Sequence, residues 1–556
     1  MPAIDALRER SPSEVGETLG RLLPPDEPGS PTPGDLPVQG GRTLPIFVMG
    51  AGRGGVARDL TRLIAEHDLD TRCVIVETDP LRMLATLLRD DWSPVLAEDR
   101  TRFALGSDIP ASLQEALPEE SDPLLEPVLS PAIRLVRSDE LPHALEIEND
   151  FRREALAHAE GFRTRCREQT AKRDAADTPL SGRRWRIWSS VGAGTSALKH
   201  LAPSILGAAG RSGHEGIVDV TDSEAPFTSS GLSRRAFDVD PDLVLSFLKP
   251  GRTLAPWRRD MPGIVLVSSN PDLLPIRTFE WSDRDLVVLA DPSFEPTYRE
   301  LGVDPVVRPL ATDIPDPAGL DEIESPPCDV LAVGSIPDAR HAIGDLPREV
   351  HDRLRELGET WMEHPTTTAM ELLESEMIPA PDAIRPRLPL ALAYEATRLR
   401  RIRSALVLAE AGFRIRIHGD EAWREVLKGT AAEGCWHGWL PAGREQFAAF
   451  RRAPVTINVN HFAAPDMLNM RALEVPAAGG VLVTDDRPVL RRSFEVGREV
   501  LAFDRVEELP DLVSGILADD RRRGEIAAAG RDRTIRDHSW DAWWTWVEAE
   551  LRRRFG

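Results

Sequence analysis

Two carboxylates in the C-terminal half of the chain have a spacing that could serve one ligand. Asp466 and Glu474 are separated by seven residues, and Arg471 lies between them. A carboxylate such as Glu474 can accept hydrogen bonds from a ribose diol, and a guanidinium can donate to phosphate oxygens. This combination favours a nucleotide-sugar site in the stretch 465–480.

The residues around this pair predict how it would be positioned. Residues 470–478 have the pattern of a helix, whose N-terminus offers backbone N–H groups and a positive dipole end to a diphosphate. Asp466 precedes that end and Asn469 lies between the two carboxylates, while Gly479 and Gly480 permit a close backbone approach before the next strand. In the alternative, structural interpretation, Asp466 caps the helix and Glu474 lies on a solvated face.

The same region resembles the CgeB-like (spore maturation protein) glycosyltransferases. Their pattern has Asn-Val near a strand end, then Arg-x-Phe-Glu, a Gly-Gly step and a Leu-x-Thr strand. The resemblance covers residues 325–550 well and residues 181–320 loosely. The segments that carry it are 457–460, 466–485 and 494–500, followed by 507–509, 527–531 and 538–540.

This resemblance implies a GT-B fold and a metal-independent, retaining transfer from a nucleotide sugar, with no required cofactor. In related retaining enzymes, two acidic residues seven apart contact the donor, the first facing the sugar and the second the ribose. Asp466 and Glu474 match these positions, with Asp in place of the usual Glu and Leu473 in place of Phe. The implied catalytic residues are Asp466, Arg471 and Glu474.

Upstream residues at predicted strand ends would line the same crevice. Gly334, Ser335 and Gly419 follow two such strands, where a doubly wound sheet binds phosphate. Arg340 could reach a diphosphate, or it could be a surface arginine. The loop 436–441 contains two tryptophans that could bind a base or could simply pack.

A glycine-rich turn near the N-terminus has the pattern of a nucleoside-cofactor loop. Gly50, Gly52 and Gly54 lie between a predicted strand and a helix, and Glu77 ends the next strand. The pattern looks like the S-adenosylmethionine site of class I methyltransferases, and the alternative is a degenerate, structural domain. Because no catalytic motif follows, we expect this domain to position the acceptor or a partner.

Strand and helix patterns alternate along the chain, which predicts α/β domains with parallel sheets. Two Rossmann-like domains in tandem make the GT-B architecture plausible, and an additional Rossmann-like domain precedes them. The predicted parts are a flexible segment 1–40, a methyltransferase-like domain 41–140, a helical linker 141–180, an N-terminal (acceptor) domain 181–320, a C-terminal (donor) domain 328–538 and a C-terminal helix 539–556.

Composition limits the partners. The 68 basic and 91 acidic residues give a net charge of −23, which repels nucleic acid and anionic lipid but is compatible with a local basic pocket for phosphate. The four cysteines lie far apart, without metal-ligand spacing. We find no apolar signal core and no apolar run of about 18 residues, so we expect no membrane span and a cytoplasmic location.

The sequence therefore predicts a hexosyltransferase-type enzyme that moves a sugar from a nucleotide-sugar donor to a hydroxyl group of a glycan or protein acceptor. Two alternatives stay open. The chain could be a non-catalytic nucleotide-sugar-binding or assembly protein, or a bifunctional protein with an S-adenosylmethionine-dependent methyltransferase domain. Asp272, Asp291 and His214 could each act as a base, and the sequence does not single one out.

Overall fold

The structure is a computed structural model in which all neighbouring strands pair in parallel within the described residues. The expectation of an α/β fold is confirmed. The predicted segment 1–40 lies outside the described residues. These are 46–52, 54–66, 72–89, 92–97, 100–116, 134–138, 141–174, 180, 184–192, 198–221, 235–253, 258, 261–271, 276–323, 326–340, 348–363, 369–374, 378 and 384–556.

The first sheet consists of short strands, of which the two central ones are buried on both faces, as is typical of parallel strands covered by helices. Its strands are β1 (Ile46–Met49), β2 (Cys73–Glu77), β3 (Thr101–Leu105) and β4 (Arg134–Arg137), and its helices are α1 (Gly55–Glu66), α2 (Pro80–Arg89), α3 (Ser93–Leu96) and α4 (Ile109–Ala116). The strand order is β3-β2-β1-β4.

A helix of 34 residues, α5 (Leu141–Asp174), joins this sheet to the rest of the chain. Its first half buries Ala144 and Phe151 against the first sheet. Its second half buries Phe162 against Phe237, where the two rings make an edge contact at 5.5 Å. Helix α5 therefore packs against the first sheet with its first half and against the region around Phe237 with its second half.

The second sheet has the order β10-β9-β8-β7-β5-β6. Its strands are β5 (Arg186–Gly192), β6 (Glu215–Thr221), β7 (Leu243–Phe247), β8 (Gly263–Val267), β9 (Asp285–Leu289) and β10 (Val306–Val307), with helices α6 (Leu198–Arg211) and α7 (Glu295–Glu300). Short 3-10 helices cover Gly251–Thr253, Ile276–Thr278, Pro292–Phe294, Arg385–Arg387 and Val506–Glu508.

The third sheet has the order β12-β11-β13-β14-β15, so its topological switch point lies between β11 and β13. Its strands are β11 (Val330–Val333), β12 (Ile415–His418), β13 (Val455–Asn458), β14 (Leu482–Asp485) and β15 (Leu501–Phe503). The helices are α8 (Pro317–Asp321), α9 (Arg348–Glu363), α10 (Ala369–Glu374), α11 (Leu388–Glu410), α12 (Ala422–Leu427), α13 (Arg444–Arg452), α14 (Met470–Ala478), α15 (Pro488–Ser493), α16 (Leu509–Leu517), α17 (Asp520–Asp537) and α18 (Trp540–Phe555).

The last helix ties the second and third sheets together. Helix α18 returns to pack against α6 of the second sheet, and it buries Trp543 and Trp544 in a cluster that also includes Leu245 of β7 and Leu482 of β14. One hydrophobic core therefore runs through both domains. None of the helices in the described parts of the chain is long and apolar enough to cross a membrane.

Candidate active site

A cavity of about 830 Å³ lies where the carboxyl ends of the second and third sheets face each other. Strand ends of the third sheet contribute Gly334, Ser335 and Gly419, and those of the second contribute Leu248 and Ser268. Clefts at the carboxyl ends of parallel strands are the usual ligand sites of α/β sheets. The cavity is within the size range of small-molecule sites. We call it the interdomain cleft.

Arg471 and Glu474 both line the interdomain cleft, because positions three apart share one face of helix α14. The Nε atom of Arg471 is buried, and no hydrogen-bond partner is found for it among the described residues. Burial lowers the pKa of Arg471, and the charge of Glu474 opposes this effect. A buried N–H without a partner is costly, so this guanidinium is suited to bind an anion.

Glu474 faces both a donor and another carboxylate. Burial raises its pKa to about 7, Arg471 lowers it, and the charge of Asp313 raises it further. The side-chain amide of Gln446 donates to Glu474 Oε2 at 2.8 Å. Near neutral pH this carboxyl group can therefore be present in both protonation states, and it can accept from or donate to a hydroxyl group.

Asn469 fixes the N-terminus of α14 against strand β13. Its Oδ1 accepts from the backbone N–H of Ala472 at 3.2 Å, which caps the helix. Its Nδ2 donates to Asn458 Oδ1 and its backbone N–H donates to Asn460 Oδ1, both at 2.9 Å. The cap lines the cleft, and the helix has the bounds that the sequence predicted.

Arg401 of α11 lies behind the switch point and was not predicted. It donates to the carbonyl of Ser335 at 2.5 Å and to that of Val459 at 3.1 Å, which holds together the loops after β11 and β13. Burial lowers its pKa to about 9, and the nearby charge of Arg471 acts in the same direction. Several arginines crowd α11, so the sequence gives no signal that marks this one.

Glycine is required at position 419 by close packing within the protein. A Cβ there would overlap the carbonyl oxygen of Gly334 and the Trp423 ring. Trp423 Nε1 donates to the same carbonyl at 2.6 Å, and Trp436 Nε1 donates to the carbonyl of Gly419 at 3.2 Å. Trp439 follows in the same loop, lines the cleft and is 63% exposed.

The second domain contributes polar side chains that sequence reasoning missed. Lys199, His200 and Ser204 of α6 line the cleft together with Asp313. Ser204 Oγ donates to Asp313 Oδ2 at 2.5 Å. Lys199 is one of four lysines in the chain, and its rarity was the available signal.

The structure does not bring Asp466 to the interdomain cleft. Its Oδ1 accepts from the backbone N–H of Val489 at 2.7 Å at the start of α15, and its Oδ2 pairs with Arg492 at 2.5 Å. Its backbone N–H donates to Asp291 Oδ2 at 3.0 Å. The seven-residue spacing thus directs the two carboxylates to different places, and Asp466 caps a helix other than the one considered from the sequence.

Three other predicted donor-site residues also lie outside the cleft lining. Gly479 ends α14 with a φ of 79°, and a Cβ on Gly480 would overlap the carbonyl oxygen of Phe450. Both lie just beyond the C-terminal end of the nine-residue α14, and Gly479 is about 8 Å along the helix axis from Glu474, the last residue of this helix that lines the cleft. Arg340 is 61% exposed in its side chain and pairs with Asp338 at 2.5 Å.

Side chains of the protein pack against the N-terminal glycine loop. Gly50, Gly52 and Gly54 have φ values of 81°, 51° and 77°, as the turn requires. A Cβ on Gly54 would overlap the Trp92 ring, and Thr86 Oγ1 donates to the carbonyl of Gly52 at 2.5 Å. Trp92 and Thr86 therefore pack directly against this turn.

The carboxylate of Glu77 also has hydrogen-bond partners within the protein. Its carboxylate accepts from the backbone N–H groups of Ala51 and Asp79 at 3.0 and 2.9 Å, and it lies 2.8 Å from His143 Nε2. Burial would raise its pKa, but these hydrogen bonds hold the pKa below the usual range. Three of the about four acceptor positions of this carboxylate are already used, so it has less capacity left for a ribose diol.

Two of the candidate bases in the second domain, Asp291 and His214, are buried and make contacts that stabilise the fold. Asp291 is fully buried, and its Oδ1 accepts from the backbone N–H of Ser293 at 2.8 Å. His214 stacks on Trp185 at 4.4 Å. Asp272 lies outside the described residues. Across the described parts of the chain, no group of three His, Cys, Asp or Glu side chains is placed to hold a metal ion.

Comparison with known protein families gives a match in this region. Residues 398–549 match the family model described as glycosyl transferase-like. No curated protein sequence matches the chain.

Three solved structures are similar to this chain at low identity. HepE from Anabaena in complex with UDP-glucose has 9% identity and a TM-score of 0.41 over 66% of this chain and 99% of that one. Sucrose-phosphate synthase from Thermosynechococcus elongatus has 12% identity and the same TM-score and coverage. A glycosyltransferase from Rickettsia africae has 11% identity and a TM-score of 0.41 over 67% and 98%.

The two facing parallel sheets of residues 184–556 have the arrangement of a GT-B fold, and the family match places a glycosyl transferase-like domain in the third sheet's part of this unit. Within this unit, residues 398–549 are the glycosyl transferase-like part, and they include Arg471 and Glu474.

Proposed function

We propose that this protein transfers a sugar from a nucleotide-sugar donor to a hydroxyl group of a glycan or protein acceptor. The observation that carries the proposal is the buried Nε of Arg471 beside Glu474 in the interdomain cleft, for which the described residues provide no hydrogen-bond partner. The guanidinium would bind the diphosphate, and the carboxyl group would bind the ribose diol. Asn469 and the loops at Gly334 and Gly419 would shape the same site.

In the proposed reaction, the bond between the anomeric carbon and the diphosphate oxygen breaks, and the acceptor oxygen bonds to that carbon. The acceptor proton is released, and the departing diphosphate takes the bonding electrons. Arg471 and the positive end of α14 would stabilise its charge without a metal ion. Retention at the anomeric carbon is proposed from the family resemblance described above.

The geometry limits which predicted residues enter the proposal. Asp466, Gly479, Gly480 and Arg340 are engaged outside the cleft lining, so we assign them to helix capping, close packing and the surface. The contact to the transferred sugar then has to come from other residues that line the cleft.

Calorimetry on two cleft variants tests the assignment. A thermal-shift panel of UDP, GDP, ADP and CMP first identifies the nucleotide that stabilises the protein. Losing a charge-assisted hydrogen bond costs about 1.5–3 kcal/mol, so Glu474→Gln and Arg471→Gln should each weaken its binding at least about tenfold. Arg340→Gln, which removes an exposed arginine paired with Asp338, should bind like the wild type. Unchanged affinity in both cleft variants would contradict the assignment.

For the first domain, we propose a role in positioning the acceptor or a partner. Trp92 beside Gly54 and the engaged carboxylate of Glu77 support this role over methyl transfer. Incorporation of label from S-adenosylmethionine by the full chain would overturn it.

A further inference from the structure

A second cavity of about 730 Å³ lies beside the carboxyl ends of β9 and β10, next to helices α15, α17 and α18. It shares Leu310 with the interdomain cleft. We propose that this cavity binds a small sugar-like molecule that carries a phosphate or carboxylate group. The proposal does not depend on the donor assignment, because it involves other charged residues.

The charge lining this cavity is unbalanced. Four arginines line it, Arg308, Arg492, Arg533 and Arg536, against the single carboxylate of Asp537. Asp537 is shared by Arg533 at 3.1 Å and Arg536 at 3.0 Å. Arg492 is matched by Asp466, which lies outside the lining. Three guanidiniums therefore face one carboxylate, in a chain whose net charge is −23.

Arg308 is the guanidinium that would benefit most from an anion. It lies over the Trp546 ring at 5.4 Å, and its Nη2 is 3.5 Å from the carbonyl of Asp537. Neither contact neutralises a full positive charge. Burial lowers the pKa of Arg308, and the charge of Asp537, which two other arginines share, opposes this effect. A bound phosphate or carboxylate would offset the cost of this burial through a bidentate contact.

The remaining walls fit an organic ligand better than a bare ion. Pro292, Leu310 and Val489 form apolar parts of the lining, and the volume is within the range of small-molecule sites. Arg536 is 59% exposed in its side chain, so the cavity can be reached from solvent. An acidic sugar would place its charge on the arginines and its ring against the apolar wall.

Calorimetry with glucose 6-phosphate, glucuronate and glucose tests the proposal on the full chain. We expect at least one acidic sugar to bind and glucose to bind more weakly. The acidic sugar that binds more tightly shows whether the site prefers a phosphate or a carboxylate group. Arg536→Gln and Arg308→Gln should each weaken this binding about tenfold. The matched control is Arg521→Gln, an 88% exposed arginine of the same helix α17 that does not line the cavity.

The outcomes separate this site from the donor site. Arg471→Gln should leave the binding of the acidic sugar unchanged, because Arg471 lines the interdomain cleft instead. Three results would each overturn the proposal: no binding of either acidic sugar, equal binding of glucose, or loss of binding in Arg471→Gln but not in the two cavity variants. Melting curves of each variant establish that it is folded.

Discussion

Replacing Glu474 by Gln should have a pH-dependent effect on stability in addition to its effect on binding. The carboxyl group has a folded-state pKa of about 7 and an ordinary value of 4.5, chiefly because burial disfavours its charge. The folded protein therefore holds this proton more tightly than the unfolded chain does. As a result, Glu474 lowers the free energy of unfolding progressively between pH 4.5 and 7, and the cost is full above pH 7.

The size of this cost follows from the two pKa values. The difference between 4.5 and about 7 corresponds to about 3 kcal/mol, at about 1.36 kcal/mol per pH unit. Because Glu474 lines a cleft that is open to solvent, we expect about 2 kcal/mol. For a domain of about 200 residues, this corresponds to about 4–8 °C in melting temperature.

Thermal unfolding at pH 5 and pH 8 measures the effect. Glu474→Gln should melt above the wild type at pH 8, and this advantage should shrink towards pH 5, while nucleotide binding is weakened. The control is Glu445→Gln, which removes an exposed carboxylate next to Gln446 and should show no such advantage. A pH-independent difference, or a variant that melts below the wild type at pH 8, would refute the reasoning.

Two further predictions concern the metal and the first domain. Sugar transfer should persist in EDTA, because in the proposed reaction Arg471 would supply the positive charge at the diphosphate; activity restored only by added Mn²⁺ or Mg²⁺ would contradict this. Deleting residues 1–140 should leave a folded protein that still binds nucleotide, because the core around Leu245 is separate from that of the first sheet. Transfer to the acceptor should fall, whereas donor hydrolysis should persist. Equal loss of both activities would mean that the deleted domain is needed for folding alone.

Local patterns in the sequence were enough to predict several parts of the candidate site. The helix 470–478 was predicted with its observed ends, although the cap considered from the sequence was Asp466. Asn469 caps the helix and Gly479 terminates it, both through contacts within a few residues. Arg471 and Glu474 share the cleft for a similarly local reason, since residues three apart on a helix share a face.

Contacts between distant segments decided where the other groups lie. Asp466 has the spacing of a donor contact, but its carboxylate is held by Val489 and Arg492, which lie more than 20 residues later in the chain. Gly480 has the appearance of a ligand-approach glycine, yet its lack of a side chain is required by the carbonyl of Phe450. Spacing along the chain cannot distinguish a residue that contacts a ligand from one that contacts a distant segment of the protein, because both are compatible with the same local sequence.

The sequence by itself determined the parallel α/β elements and the helix that presents Arg471 and Glu474. It also determined the net negative charge, against which a local basic pocket stands out as a possible anion site. The tertiary structure alone decided that Asp313 lies close enough to influence Glu474 and that Trp92 fills the turn at Gly54. The physical reason is that strand and helix patterns depend on neighbours a few residues away. Burial, charge pairing and cavity shape depend instead on which distant side chains the fold brings together.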